Sequence, residues 1–340
     1  MTAPPHHRAG GGYQNPWPGS NPRGFAHLVR WFVERNFIRR PPPDPDRSVF
    51  AVERPALGQA VRPGDLAVTW VGHSTALLEF AGLTVITDPV FGAYASPIPT
   101  ASLRRWVDPP VRVADLPRLD AVLLSHNHYD HLDAPTVQEL AALQPEAVWC
   151  TPLGNAALLR RLGVQRVQEL DWWEETGVAG ATIGCVPAQH FSARGLHDRS
   201  RALWGGLTVK FGGRSVYFVG DTAYHPDFAE IGRRAGPFDL VLMPVGAYEP
   251  RWFMHVVHLN PEEAVRAFGE LSGGSNGEET GAAGTGRRPV MVPIHWGTFK
   301  LTDEPMDEPP RRTEAAWRAA GFEPGRLWTP RHGETRLLRA

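Results

Sequence analysis

Cysteine is nearly absent: Cys150 and Cys185 are the only two in 340 residues, and each lies in an apolar, β-branched stretch rather than in a Cys-x-x-Cys pair. That spacing argues against a thiolate metal site or a redox pair, and we read both as reduced core residues. Long hydrophobic runs are also missing. No segment reaches about 18 uninterrupted apolar residues, so no membrane-spanning helix is expected. The start, residues 1–12, is small, polar and Gly/Pro-rich, without the apolar run of a secretory signal, and the expected compartment is cytoplasmic. Net charge is lacking too. With 35 Lys and Arg against 36 Asp and Glu, the formal charge of -1 gives no overall field to draw the chain onto nucleic acid.

What is present is enough chain for one large α/β domain or two small ones. Residues 1–60 read as an N-terminal extension: a flexible head, a short helix, then the Pro-rich stretch around Pro41, Pro42, Pro43 and Pro45. A compact domain is expected over 61–340, with packing beginning near Leu66. Within it the run SGGSNGEETGAAGTGRR, residues 272–288, has no large apolar residue to anchor it and is expected to be a disordered insertion.

From Leu66 onward, short β-branched runs alternate with helical patterns, which predicts layered α/β structure. Strands are expected at 66–71, 83–87, 121–124, 147–150, 181–186, 203–211, 215–219, 240–243 and 290–294. Helices are signalled after Asp133, an acidic N-cap before TVQELAAL, and after Asn260, where Pro261 takes the first helical position. Others are expected at 156–162, 226–234 and 313–320.

The chemistry is concentrated in SHNHYDHLD, where His126, His128, Asp130 and His131 follow the apolar strand AVLL. Alternate residues of an extended chain project to one side, so His126 and His128 can converge on one ion. Once the chain turns toward the helix after Asp133, Asp130 and His131 can face a second. Three further strands end in a residue of the same type: ATIGCVPAQ delivers His190, SVYFVG delivers Asp221 and PVMVPI delivers His295. Strand ends share one rim of a layered sheet, so distant positions can meet there. Five imidazoles and two carboxylates suit Zn(II) and also accept Fe or Mn. Two Zn(2+) ions about 3.5 to 4 Å apart would share Asp221 and a bridging hydroxide, with the water pKa lowered toward about 7.

In motif order, from Asp88 in TDP through the His-x-His-x-Asp-His cluster to His190, Asp221 and His295, the chain resembles the metallo-β-lactamase-fold superfamily. The resemblance runs from Leu66 to the C-terminus. It implies a four-layered αββα sandwich with the metals at one rim. It also implies that His126, His128 and His190 hold the first zinc and Asp130, His131 and His295 the second. Asp221 would bridge, and Asp88 would orient a ligand by hydrogen bonding.

The runs WVGHST, TDPVF, PAQHFSAR, GDTAYH, YEPRWFMHVVHLNPEEAV and IHWGTF carry a narrower likeness. They resemble the N-acyl-phosphatidylethanolamine-hydrolysing phospholipase D branch and its bacterial relatives. That likeness implies phosphodiester hydrolysis on a phospholipid or small-molecule substrate. It implies a place near the site for His258, to donate to a phosphoryl oxygen or relay a proton; the alternative is that His258 helps cap the helix at Pro261. The animal lipase has glutamine before this histidine where this chain has Val257, so headgroup contacts are not carried over. His73 is placed near the metals by the turn that Gly72 permits, or bonds only to nearby backbone. The likeness makes a homodimer an expectation as well.

Aromatics and arginines mix in RGFAHLVRWFVERNFIRR, residues 23–40, which either lies against an anionic membrane surface or docks on the body of the protein. Rival readings of the whole are a lactonase acting on a sugar phosphate, a di-iron redox centre, and a non-catalytic binding scaffold. The di-iron proteins generally carry an acidic residue where His128 stands, and degenerate scaffolds lose ligand positions that are all filled here.

Overall fold

Residues 4–60, 62–195, 197–273 and 288–340 are described by the structure, a computed structural model. Most of the expected disordered insertion, 274–287, lies outside the described residues.

The β-branched runs pair into two mixed sheets. The first holds β1 (Leu66–Gly72), β2 (Thr75–Phe80), β3 (Leu83–Thr87), β4 (Ala121–Leu123), β5 (Val148–Pro152) and β6 (Val167–Leu170) side by side, with β13 (Thr335–Leu338) outside β1. The second runs β12 (Val290–Ile294), β11 (Leu240–Pro244), β10 (Arg214–Phe218), β9 (Gly206–Phe211), β8 (Ala181–Val186), β7 (Glu175–Val178). Seven helices among the described residues accompany them: α1 (Phe25–Val33), α2 (Ala134–Leu143), α3 (Ala156–Arg161), α4 (Phe228–Ala235), α5 (Arg251–Met254), α6 (Pro261–Leu271) and α7 (Glu308–Ala319).

The central strands carry apolar side chains on both faces and bury both. Leu78, Leu123, Ile183 and Phe218 meet between the sheets. Their chain neighbours Leu77 and Val122 point outward, under Val137, Leu140 and Leu159 of α2 and α3. On the far side Tyr217, Val241 and Met291 are covered by Phe228, Phe268 and Trp317 of α4, α6 and α7. The result is the expected αββα sandwich.

The helix starts follow their caps. Asp133 accepts from the Thr136 amide at 3.2 Å. Asn260 and Glu263 form a reciprocal capping box at 2.8 and 3.1 Å, so His258 does not cap α6. Helix α7 begins at Glu308, five residues before the expected start, because Pro309 and Pro310 occupy a first turn that needs no amide protons. Strand β9 begins at Gly206 rather than at 203. There the Leu203 amide bonds to Leu153 O (2.7 Å) and the Gly205 amide to Ser125 O (3.1 Å), which takes both out of the ladder.

The expected flexible head is described from Pro4 and touches the body at defined points. His6 and His7 bond to Asp171 at 2.7 and 2.8 Å, and Asn15 Nδ2 donates to His190 O at 3.0 Å. No described helix is long and apolar enough to cross a membrane.

Strand direction is what positions the site. Because β1 pairs antiparallel with β2, and β2 with β3, β1 and β3 run the same way, and β4 joins them in parallel. By the same count β8 and β10 are co-directional, and β11 and β12 follow in parallel. The C-terminal ends of six chemistry-bearing strands are therefore gathered at one edge.

The outer helical layer is closely fitted. A Cβ on Gly232 of α4 would lie 2.3 Å from the carbonyl oxygen of Leu271 at the end of α6. Gly232→Ala should therefore cost about 1–3 kcal/mol of stability. We expect a lowered urea midpoint at unchanged slope; an unchanged midpoint would show that α4 and α6 do not meet this closely.

Candidate metal centre

Six strand ends each deliver a side chain to this edge. His73 follows β1, Asp88 follows β3, the His-rich loop follows β4, His190 follows β8, Asp221 follows β10 and His295 follows β12. Three of these residues turn sharply out of their strands, with left-handed φ angles of 53° at His73, 28° at Asp88 and 64° at His295. Such turns cost about 1–3 kcal/mol each and persist only where surroundings enforce them. Here the His73 amide donates to Thr298 Oγ1 (2.7 Å), the His295 amide to His73 O (2.9 Å) and the Asp88 amide to Leu123 O (2.8 Å). Gly246 gives the room: a Cβ there would lie 2.0 Å from the His295 carbonyl oxygen.

The donor atoms fall into two groups. His126, His128, His190 and Asp221 each offer an atom, all within 4.8 Å of one another, and His73, Asp130, His131 and His295 do the same. Asp221 joins the two, since its Oδ2 lies 3.6 Å from His190 Nε2 and 3.2 Å from His131 Nε2, and its Oδ1 lies 3.1 Å from His295 Nε2. Asp130 Oδ2 lies 3.4 Å from His131 Nε2, 3.5 Å from His295 Nε2 and 3.0 Å from His73 Nε2.

These spacings fit an ion. Ligands bound at about 2.0 to 2.2 Å in a tetrahedron stand about 3.3 Å apart. His131 Nε2, His295 Nε2 and Asp221 Oδ1 are buried, face one another and yet lack aligned hydrogen-bond partners. A third His/His/Asp group differs. His6 and His7 bond one each to the two oxygens of Asp171, at 2.7 and 2.8 Å, so this group is satisfied by ordinary hydrogen bonds.

The electrostatics follow from burial. It pushes His73 and His128 down to about 3, with His295 adding to the shift at His73 and His190 at His128, and it pushes His190 down to about 4. His126 is likewise held well below its ordinary value by burial and by His131 and His128. Burial works to raise Asp130 and Asp221, but their imidazole neighbours, His131 foremost, overcome it and hold both well below the carboxylate range. The same pairing works in reverse on two rings. Against the effect of burial, Asp221 and Asp130 raise His131 well above its ordinary value and His295 to about 9.

Supporting groups fix the ring orientations. Asp88 accepts from His131 Nδ1 at 2.6 Å and from the Ser125 amide at 2.7 Å, so it orients rather than competes. His190 Nδ1 donates to Val257 O at 2.9 Å. His73 reaches Asp130, not only backbone. His258 is 13% exposed and has its Nδ1 3.9 Å from Asp221 Oδ2, with no hydrogen-bond partner.

Sequence reasoning assigned no role to Arg194. Its guanidinium lies 3.9 Å over the Tyr129 ring and donates to the carbonyls of Asn127 (2.9 Å) and Leu132 (2.7 Å), which braces the His-rich loop from both ends. The only trace of it in the sequence is its place in PAQHFSAR. Nor was Phe191 assigned, whose ring centre is 4.6 Å from that of His128.

A family model described as a β-lactamase superfamily domain matches residues 84–296. An uncharacterized protein of Mycobacterium tuberculosis is 45% identical over 300 residues, 86% of this chain and 74% of its own length. The N-acyl-phosphatidylethanolamine-hydrolyzing phospholipase D 1 of Caenorhabditis elegans is 40% identical over 246 residues, 69% of this chain and 65% of its own. Among solved structures, a metallo hydrolase from Ignicoccus hospitalis superposes with a TM-score of 0.58 at 21% identity, over 81% of this chain and 99% of its own, which speaks to the fold alone.

A pH profile checks the charge arrangement. In metal-free protein, the stability from His295 is fully present below its unfolded value of about 6.5 and is lost as pH rises through about 9. His73, His128 and His190 act oppositely, opposing folding as pH falls below about 6.5 toward their folded values near 3 to 4. Thermal stability after chelation should therefore peak near neutrality and decline between about pH 6.5 and 9. His295→Gln should flatten the alkaline limb; a limb unchanged in that variant would refute the assignment.

Proposed function

Because the chain belongs to the β-lactamase superfamily of metal-dependent hydrolases, we propose that it is a dinuclear zinc phosphodiesterase of phospholipase D type, acting on N-acyl-phosphatidylethanolamine or a related glycerophosphodiester. The observation that carries the reading is the seam at Asp221, where two groups of imidazole and carboxylate donors meet at spacings of 3.1 to 3.6 Å. His126, His128 and His190 would hold one ion, Asp130, His131 and His295 the other, with Asp221 between them. Zinc bound there supplies water of lowered pKa and neutralises charge on phosphoryl oxygens.

The remaining work falls to the side chains. Hydrolysis adds water across a P–O bond, its oxygen going to phosphorus and a proton to the departing alcohol. In this reading Asp130, which meets His73 Nε2 at 3.0 Å, would take a proton from the attacking water. His258, whose unpartnered Nδ1 lies 3.9 Å from Asp221, would donate to a phosphoryl oxygen or return the proton to the leaving oxygen. Asp88 and Val257 O keep the His131 and His190 rings from turning. A cleft of about 550 Å³ adjoins the His-rich loop, lined by Tyr94, Pro97, Pro99, Tyr129 and Arg194. Its apolar walls suit the hydrocarbon part of a lipid better than a sugar.

Metal analysis of purified protein should find about two zinc equivalents per chain, and His126→Ala or Asp221→Ala should lower phosphodiester turnover at least about a hundredfold. The substrate panel is N-acyl-phosphatidylethanolamine, an aryl phosphodiester and lactones. Turnover of lactones without phosphodiester cleavage would replace this reading with a lactonase, and near-normal rates in both variants would refute the site.

A further inference from the structure

Helix α1 is inside out. Phe25, Leu28, Val29 and Phe32 recur at the spacing of one helical face, the stripe that a surface helix normally turns to the core. Here that stripe faces solvent: Phe25 is 78% exposed and Phe32 59%, and in the wider turn that continues the helix (Glu34–Ile38), Phe37 is 77% exposed. The helix is held instead by Trp31, its one buried side chain, whose indole donates to Asp303 at 2.7 Å. Trp31 packs on Met254, Val256 and Val257 with Phe191 and Phe253. That platform is a wall of the metal centre, since Val257 O orients His190 and Phe191 lies against His128.

Charge completes the pattern. Residues 23–40 hold five arginines and a single acidic residue, Glu34. Arg30 pairs with Glu34 at 2.6 Å and Arg35 with Asp303 at 3.4 Å. Arg39 and Arg40, at the C-terminal end of the ridge, are exposed and have no acidic partner among the described residues.

We propose that the outward face of α1 is a docking surface for an anionic phospholipid bilayer. Aromatic rings enter the zone between headgroups and acyl chains, while the guanidinium groups beside them meet lipid phosphates; a bilayer interface accepts both together. Trp31 anchors this surface to the wall of the metal centre, so docking presents the site to the membrane. The proposal goes beyond the phosphodiesterase reading, because vesicle binding is measured without turnover and either can fail alone.

The test is co-sedimentation of the full chain with phosphatidylcholine vesicles, with and without phosphatidylglycerol, beside turnover of a water-soluble aryl phosphodiester and light-scattering mass. Wild-type protein should sediment with the anionic vesicles. The combined variant Phe25→Ser, Phe32→Ser, Phe37→Ser should bind them at least about tenfold more weakly. Arg39→Ala with Arg40→Ala should weaken binding to anionic vesicles alone, by about fivefold per arginine. Turnover of the soluble substrate and thermal stability should not change, since every altered side chain is exposed. Absence of vesicle binding by the wild type, or equal binding by the aromatic variant, would overturn the proposal. So would a mass that falls from dimer to monomer in that variant with no change in vesicle binding, which would assign the ridge to a second copy of the chain.

Discussion

Asp221 is 3% exposed and lies within 3.9 Å of nitrogens from five imidazoles: His126, His131, His190, His258 and His295. An ionised carboxylate removed from water costs several kcal/mol unless it is paired. The imidazoles supply only part of that pairing, because burial holds His126, His190 and His258 below their ordinary range and in the neutral form. Three of the five rings thus face Asp221 as neutral nitrogens, and only His131 and His295 are raised against it. Lone pairs and negative charge converging on one space are the donor set of a cation, and the rest of the structure serves to hold that convergence.

The sheets do so through direction and sharp turns. Two successive antiparallel pairings bring β1 and β3 to the same edge, as they do β8 and β10. At that edge His73, Asp88 and His295 leave their strands in left-handed conformations. These turns are stabilised by neighbours rather than by local preference. Thr298 receives the His73 amide, and His73 O in turn receives both the His295 amide and the Trp70 indole. His73 at the end of β1 is thereby tied to His295 at the end of β12, so one donor group is held by backbone of both sheets.

A second set of ties runs outward from the site. The segment between α5 and α6 carries Val257, whose carbonyl fixes His190 and whose side chain packs on Trp31. Asn15 reaches the carbonyl of the same His190 from the N-terminal segment. Residues before the first strand therefore help build the site's surroundings, although the sandwich itself begins at Leu66.

How much could be read from the chain differs element by element, and the differences have causes. Predominantly apolar strands such as LAVTWV and LVLM were legible because burial on both faces leaves no other use for such runs. TALLEF was not assigned, since it follows β1 after a two-residue turn and only its pairing with both β1 and β3 makes it a strand. The edge strands β6, β7 and β13 carry polar or half-exposed residues, so their register came from partners distant in sequence. Arg194 and Phe191 had no signal of their own, because one acts on backbone carbonyls and the other through ring contact.

By itself the sequence determined the layered class, the caps at Asp133 and Asn260 and the kinds of atom available to a metal. Those depend on side-chain chemistry and on periods of a few residues. Only the tertiary structure decided that His131 is the ring Asp88 supports, that Arg194 braces the His-rich loop, and that α1 turns its aromatic stripe outward. Each is a relation between surfaces that meet only after the sheets have packed, and no local pattern along the chain records which face ends up against which.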